Sequence, residues 1–185
     1  PTMTYFEQAL SAPELHFKRL RGMEPTLYNG RVSIRRTALA IETEVRWEQG
    51  NYLLLLPFKS ESLRHIESLE ITAMERSRGP LIRNRILYNE LTMCDALGHK
   101  SSFDVILQEI PRGMTLNDAV LHYKALDLKI AISNMKKSLD KIGFLHNNLR
   151  PTNIIICENG IACPLRYWYA EWHDFAENNT SQLEL

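Results

Sequence analysis

The stretch from Gly143 to Ile156 constrains the fold more than any other part of the chain, because three backbone signals follow one another within it. Gly143 favours the end of a helix, since glycine accepts the left-handed conformation of a C-terminal cap. Pro151 favours a loop, because proline has no amide donor for a helix interior or a strand ladder. The apolar, β-branched run Ile154–Ile156 is typical of a buried strand. The sequence therefore predicts a helix, a polar loop and a strand in immediate succession.

This polar loop resembles the catalytic loop of the protein kinase family, whose motif is H-R-D-L-x-x-x-N. His146, Leu149 and Asn153 stand at matching positions of the motif. Pro151 also matches the family pattern, and Arg150 replaces a usual lysine. The resemblance implies a kinase-like arrangement of the chain around this loop.

The main departure from the family lies at Asn148, which stands where kinases have their catalytic Asp. In kinases that Asp accepts the substrate hydroxyl proton, and the downstream Asn, here Asn153, holds a magnesium ion. A neutral amide is not a useful proton acceptor near neutral pH. The resemblance therefore implies a degenerate loop at His146, Asn148, Arg150 and Asn153, with no catalytic residue assigned.

The first half of the chain alternates between helical and β signals. Residues 1–22 predict two short helical turns in a peripheral segment, with Pro13 between them. Leu27–Lys59 predicts an antiparallel meander of about three strands. Asn29-Gly30 favours a tight turn, apolar residues alternate with period two from Val32 to Trp47, and Tyr52–Phe58 is typical of a buried strand. A helix over Ser60–Arg78 and two further strands, within Arg83–Leu97 and over Phe103–Ile110, are expected next.

The second half begins with a break at Pro111–Met114, after which Thr115 is predicted to cap a helix over Leu116–Tyr123. The clearest helix is Leu126–Ile142, and a hairpin turning at Glu158–Gly160 is expected after the polar loop. The apolar stripe of that helix consists of Leu128, Ala131, Ile132, Met135, Leu139 and Ile142.

This order of elements is also that of a kinase, from the small lobe to the beginning of the large lobe. We therefore predict an α+β fold of the two-lobed, protein kinase-like type. Residues 1–110 would form the N-lobe, with an N-terminal extension, antiparallel strands and one helix. Residues 111–185 would form a truncated helical C-lobe with the degenerate loop, the hairpin and an aromatic tail.

The resemblance also implies candidate nucleotide-binding residues. Lys59 follows an apolar strand, as does the kinase lysine that contacts the nucleotide phosphates and pairs with a helix Glu. Glu70 or Glu75 would be its partner, and spacing does not choose between them. Glu109 lies in the segment that resembles the hinge, where backbone groups would bind an adenine ring, and Asn153 completes the set.

Two kinase features are missing from the sequence. A glycine-rich phosphate loop is absent, because Gly30 and Gly50 stand singly in different hairpins. No D-F-G occurs about a dozen residues after Asn153, where the family has its metal-binding Asp. Asp174 is a near match that comes later, which makes it the remaining metal candidate. We therefore expect no metal site and no cofactor, apart from ATP binding that is weak or absent and independent of Mg²⁺.

Composition bounds the partners. Basic and acidic residues number 22 each, so the formal net charge of zero argues against a general nucleic-acid binder. No apolar run is long enough to span a bilayer and no secretion signal is expected, which favours a cytoplasmic protein whose partner is another protein.

Three cysteines without a C-x-x-C pair are interpreted as small buried hydrophobes. Arg76, Arg78, Arg83 and Arg85 form a basic run, open to interpretation as a solvated loop or a phosphate contact.

Three functional hypotheses remain. The first is a kinase-like domain without catalysis, a pseudokinase-type module for protein binding or regulation. The second is an active small-molecule phosphotransferase, similar to the aminoglycoside and choline kinases, which would use Asp174 as its metal ligand. The third is an unrelated α+β interaction domain. Asn148 argues against the second hypothesis, and Mg²⁺-dependent nucleotide turnover would support it.

Overall fold

The computed structural model describes residues 3–173 and has a mixed α+β composition. The described chain forms two compact units. One contains the chain up to His65 together with Arg83–Ile110, and the other contains Ile66–Ile82 together with the chain from Pro111 onward. Asp174, the candidate metal ligand, lies outside the described residues, and the predicted lobes 1–110 and 111–185 stay predictions.

The first unit is built on a six-stranded antiparallel sheet that curls into a half-barrel. Its strand order is β1-β5-β6-β8-β7, and β4 also pairs with β5. The predicted meander is confirmed, because β4, β5 and β6 pair in sequence. The elements of this unit are α1 (Met3–Ser11), α2 (Pro13–His16), β1 (Glu24–Pro25), β2 (Leu27–Tyr28), β3 (Arg31–Val32), β4 (Ile34–Arg36), β5 (Ala40–Trp47), β6 (Gly50–Pro57), β7 (Asn84–Cys94) and β8 (Lys100–Ile110).

Two tight turns join strands in this unit. Asn29 and Gly30 both have positive φ between the paired strands β2 and β3, which confirms the predicted turn. The second turn joins β5 to β6. Trp47 pairs with Gly50, so Glu48 and Gln49 make the turn with φ of 46° and 66°, and Gly50 begins β6.

The N-terminal helices were expected to be peripheral, and that expectation was wrong. Phe6, Leu10 and Leu20 are fully or almost fully buried in the core that β5, β6, β7 and β8 share. The segment is fastened by the buried carboxylate of Glu90 on β7, which accepts hydrogen bonds from the backbone amides of Arg19 and Leu20. Leu20 and Glu90 lie 70 positions apart in the chain, so no local sequence pattern predicts this contact.

Helix α3 (Ser60–Glu75) begins in the first unit and ends in the second. The helix ends three residues before Arg78, its predicted last residue. A turn follows, in which the Leu81 amide donates a hydrogen bond of 2.9 Å to the Arg78 carbonyl. The buried apolar residues of this helix recur at helical spacing, and they are Leu63, Ile66, Leu69 and Ala73.

The second unit contains helix α5 and the strands around the polar loop. Helix α5 confirms the clearest prediction to within one residue, and Gly143 caps it with φ of 77°. All the stripe residues are buried except Ile132, which is half-buried. The elements are β9 (Gly113–Thr115), α4 (Leu116–Ala119), α5 (Ala125–Ile142), β10 (Phe144–Leu145), a 3-10 turn (Pro151–Asn153), β11 (Ile154–Cys157), β12 (Ala162–Pro164) and β13 (Glu171–Trp172).

The segment before α5 differs from its prediction. The expected break at Pro111–Met114 contains strand β9, which pairs with β11, and the helix after it has four residues rather than eight. Thr115 makes no side-chain cap. Gly113 permits the pairing, because a Cβ at this position would lie 2.1 Å from the carbonyl oxygen of Ile156.

Two aromatic residues near the end of the described chain, Tyr167 and Trp172, pack within the second unit. Tyr167 and Trp172 both lie edge-on to Phe144, with ring centroids 5.3 and 5.1 Å away. The Trp172 indole donates a hydrogen bond to the carbonyl of Leu69 on α3, and the Tyr167 hydroxyl accepts one from the Ile82 amide. These aromatics therefore cover the second half of α3, as large side chains commonly do in cores.

The cysteines are all free thiols. Cys157 is buried and Cys163 is half-buried, with their Sγ atoms 3.8 Å apart across β11 and β12. Cys94 is exposed at the end of β7, so its interpretation as a buried hydrophobe was wrong.

Candidate functional site

The loop that resembles the kinase catalytic loop begins where α5 ends. Gly143 reverses the chain into the short strand β10, and the 3-10 turn at Pro151–Asn153 leads into the buried strand β11. The predicted succession of helix, polar loop and strand is confirmed. The loop is therefore held at both ends by packed elements of one unit, which fixes where its polar side chains lie.

His146 is buried and its two ring nitrogens are both engaged. Nε2 lies 2.7 Å from the carbonyl oxygen of Leu165, and Nδ1 lies 3.1 Å from the backbone amide of Asn148. A carbonyl only accepts and an amide only donates, so the network assigns the proton to Nε2. Burial lowers the pKa of His146, which favours this neutral form. The ring therefore braces the loop and is not placed as a proton acceptor.

Asn153 is buried, and both the nitrogen and the oxygen of its side-chain amide form hydrogen bonds. Its Nδ2 donates to the backbone carbonyl of Asn148 at 2.9 Å. Its Oδ1, the atom that would face a metal ion in the kinase arrangement, accepts from the guanidinium of Arg166 at 3.1 Å. Asn148 and Asn153 are thus brought together within one loop.

Arg166 is the residue that the sequence reading missed. It stands 13 residues after Asn153, where the family has its metal-binding Asp, and its guanidinium also donates to the Thr152 carbonyl at 3.0 Å. Its φ of 57° is a left-handed conformation that costs a non-glycine residue about 1 kcal/mol. The sequence has Leu165-Arg166-Tyr167-Trp168 where a D-F-G is missing, so the cationic side chain of Arg166 was the available signal.

A magnesium ion does not fit this arrangement. Magnesium in phosphoryl-transfer sites is held by carboxylates together with substrate phosphates. In the kinase-like arrangement Arg166 would stand in place of the metal-binding carboxylate, and within residues 3–173 its positive guanidinium contacts Oδ1 of Asn153, the other candidate ligand oxygen. Across residues 3–173 no group of three or more His, Cys, Asp or Glu side chains is placed to hold a metal.

The other nucleotide-binding candidates occupy separate positions. Lys59 is exposed beyond the end of β6, immediately before α3, and Glu109 is exposed near the end of β8. Glu70 forms an ion pair with Arg78 at 2.7 Å, and Glu75 is exposed at the end of α3. Their roles toward a nucleotide stay predictions.

No protein-family model matches this chain, and no curated protein matches it. Within the described residues, no helix is both long enough and apolar enough to cross a membrane.

Proposed function

We propose that the chain is a non-catalytic binding or regulatory module with a two-lobed protein kinase-like fold. One observation carries the proposal: the guanidinium of Arg166 donates to Oδ1 of Asn153 at the centre of the degenerate loop. Phosphoryl transfer in kinases depends on positioning and charge stabilisation around bound magnesium. A fixed cation in contact with the metal-ligand oxygen opposes that requirement.

Asn148 supports the same proposal independently. Its side chain offers an amide where a kinase needs a carboxylate to orient and deprotonate the substrate hydroxyl. Two essential groups are thus replaced, one by a neutral side chain and one by a cation. Residues of a catalytic unit act together, so restoring one of them leaves the other limiting.

The expected partner is another protein, and the outward face of α5 supports this. Leu126 and Ile130 lie one helical turn apart and are 67% and 52% exposed, although the opposite face of the helix is buried. Two adjacent exposed apolar side chains offer a small apolar surface that a protein partner could cover. A cytoplasmic location belongs to the same proposal.

Transfer from radiolabelled ATP tests the proposal, with Mg²⁺ and with Mn²⁺. We compare the wild type, Asn148→Asp, and the double variant Asn148→Asp with Arg166→Asp, assayed for autophosphorylation and phosphate release. The wild type and Asn148→Asp should both remain at background. A thermal-shift titration with ATP should give no shift that depends on Mg²⁺.

Phosphate transfer by the wild type would contradict the proposal and favour the phosphotransferase alternative. Transfer by Asn148→Asp alone would show that Arg166 does not block the site. Activity confined to the double variant would support the assignment of both replaced groups.

A further inference from the structure

A cavity of about 560 Å³ lies in the second unit, and none of its lining residues belongs to the polar loop. It is formed where the chain beyond α3 meets the last turns of α5, and its volume falls within the range of ordinary small-ligand sites. Its lining residues are Arg76, Ser77, Gly79, Ser138, Lys141 and Ile142.

The charged groups of this lining are both positive. The Arg76 guanidinium lies over the ring of Trp172, 5.2 Å from its centroid, which holds the charge in a fixed place. Lys141 is exposed on α5 and also lines the cavity. The neighbouring Arg78 is paired with Glu70, so its charge is balanced within the fold.

The remaining lining residues combine an apolar floor with hydroxyl groups. Ile142 is buried and provides the floor, and a Cβ at Gly79 would lie 3.3 Å from its side chain. Ser77 and Ser138 are exposed, and each hydroxyl is able to donate one hydrogen bond. Two cations and two hydroxyl donors around an apolar floor match an anion that carries an organic group.

We propose that this cavity binds a phosphate monoester, with Arg76 and Lys141 contacting the phosphate oxygens and its organic group lying over Ile142. A phosphate monoester offers three acceptor oxygens, which suits two cations and two hydroxyl groups better than a two-oxygen carboxylate does. The volume exceeds what inorganic phosphate alone would fill. The site is separate from Asn148, Asn153 and Arg166, and it is independent of phosphoryl transfer.

Phenyl phosphate is the first probe, titrated into the ¹⁵N-labelled chain while the amide resonance of Gly79 is followed. We expect saturable binding that weakens as salt is added, and benzyl alcohol at the same concentrations should leave the resonance unmoved. Lys141→Gln should weaken binding about fivefold or more, since a charged hydrogen bond is lost. Lys129→Gln makes the same charge change on the same helix, facing a different groove, and should change binding less than twofold.

A second pair of probes distinguishes the source of the monoester. A short phosphoserine peptide that binds more tightly than phenyl phosphate, while its unphosphorylated form does not bind, would assign the site to a phosphorylated protein. Tighter binding of phenyl phosphate would assign it to a small phosphorylated molecule. Failure of both probes to saturate, or equal weakening by Lys141→Gln and Lys129→Gln, would overturn the proposal. Because Lys141 is exposed, its variant should fold normally, and an unchanged thermal midpoint verifies this.

Discussion

Replacing Arg166 by aspartate should make Asn153 bind a divalent metal more tightly than it does in the wild type. The Arg166 nitrogen lies 3.1 Å from Oδ1 of Asn153, and a bound metal would lie roughly 2.1 Å from the same oxygen. The two positive centres would therefore be at most about 5 Å apart. Coulomb's law puts their repulsion at about 2 kcal/mol in bulk water and about 7 kcal/mol at the effective dielectric constant near a protein surface.

The smaller of these energies already corresponds to about 30-fold in affinity. Arg166→Asp removes the repulsion and adds a carboxylate, so Mn²⁺ should bind this variant at least about 30-fold more tightly. Aspartate also tolerates the left-handed backbone of this position better than most residues. Paramagnetic broadening of the Asn153 side-chain amide during a Mn²⁺ titration measures binding at this oxygen.

Arg112→Asp is the matched control, because Arg112 is exposed in the same unit and the charge change is identical. It should leave Mn²⁺ binding at Asn153 within threefold of the wild type. If the wild type broadens the Asn153 resonance at the same Mn²⁺ concentration as Arg166→Asp, the guanidinium does not exclude metal and the reasoning fails.

Three further changes test the fold and the loop. Leu139→Ala should lower the free energy of unfolding by about 3 kcal/mol in urea denaturation, because Leu139 is buried, while the exposed Leu126→Ala on the same helix should change it by less than about 0.5 kcal/mol. Glu90→Ala should cost about 2 kcal/mol by leaving buried backbone amides without an acceptor, and the exposed Glu14→Ala serves as its control; equal small effects would remove Glu90 as the fastening group. The pKa of His146, followed by its ring proton resonances, should lie below 6.5, so its contribution to stability is present above pH 6.5 and falls as the pH drops below that value; a measured pKa above 6.5 would contradict the neutral assignment.

Local patterns predicted the elements whose stability is set by their own residues. The alternation in the sequence of β5, the continuous apolar run of β6 and the apolar stripe of α5 are each local signals, so these elements lie within a few residues of their expected bounds. Gly143 ends its helix for a reason that is visible in the sequence alone. The polar loop was found by the same means, since helix end, proline and β-branched run are all local signals.

The errors at Pro111–Met114 and in the N-terminal segment share a different cause, because each depends on a partner far away in the chain. Met114 and its neighbours form a strand only because β11 is available to pair with them, and Gly113 fits there only because the Ile156 carbonyl approaches so closely. Phe6 is core rather than periphery because the Glu90 carboxylate anchors the segment that follows it. Secondary-structure propensity and hydrophobic periodicity carry no information about which distant part of the chain a segment will contact.

The hydrogen bonds of the polar loop bear on where a binding partner of the proposed module would contact it. His146 contacts the Leu165 carbonyl, Asn153 contacts Asn148 and Arg166, and the Asn147 side chain donates to the Tyr169 carbonyl at 2.9 Å. In an active phosphotransferase the metal and the substrate would use these polar groups, whereas here protein groups already use them. A ligand entering the loop would have to break bonds within the fold, and each broken bond of this kind costs about 1 to 3 kcal/mol. We therefore expect the proposed binding on surfaces whose groups face solvent, such as the outward side of α5 and the cavity beside its last turn.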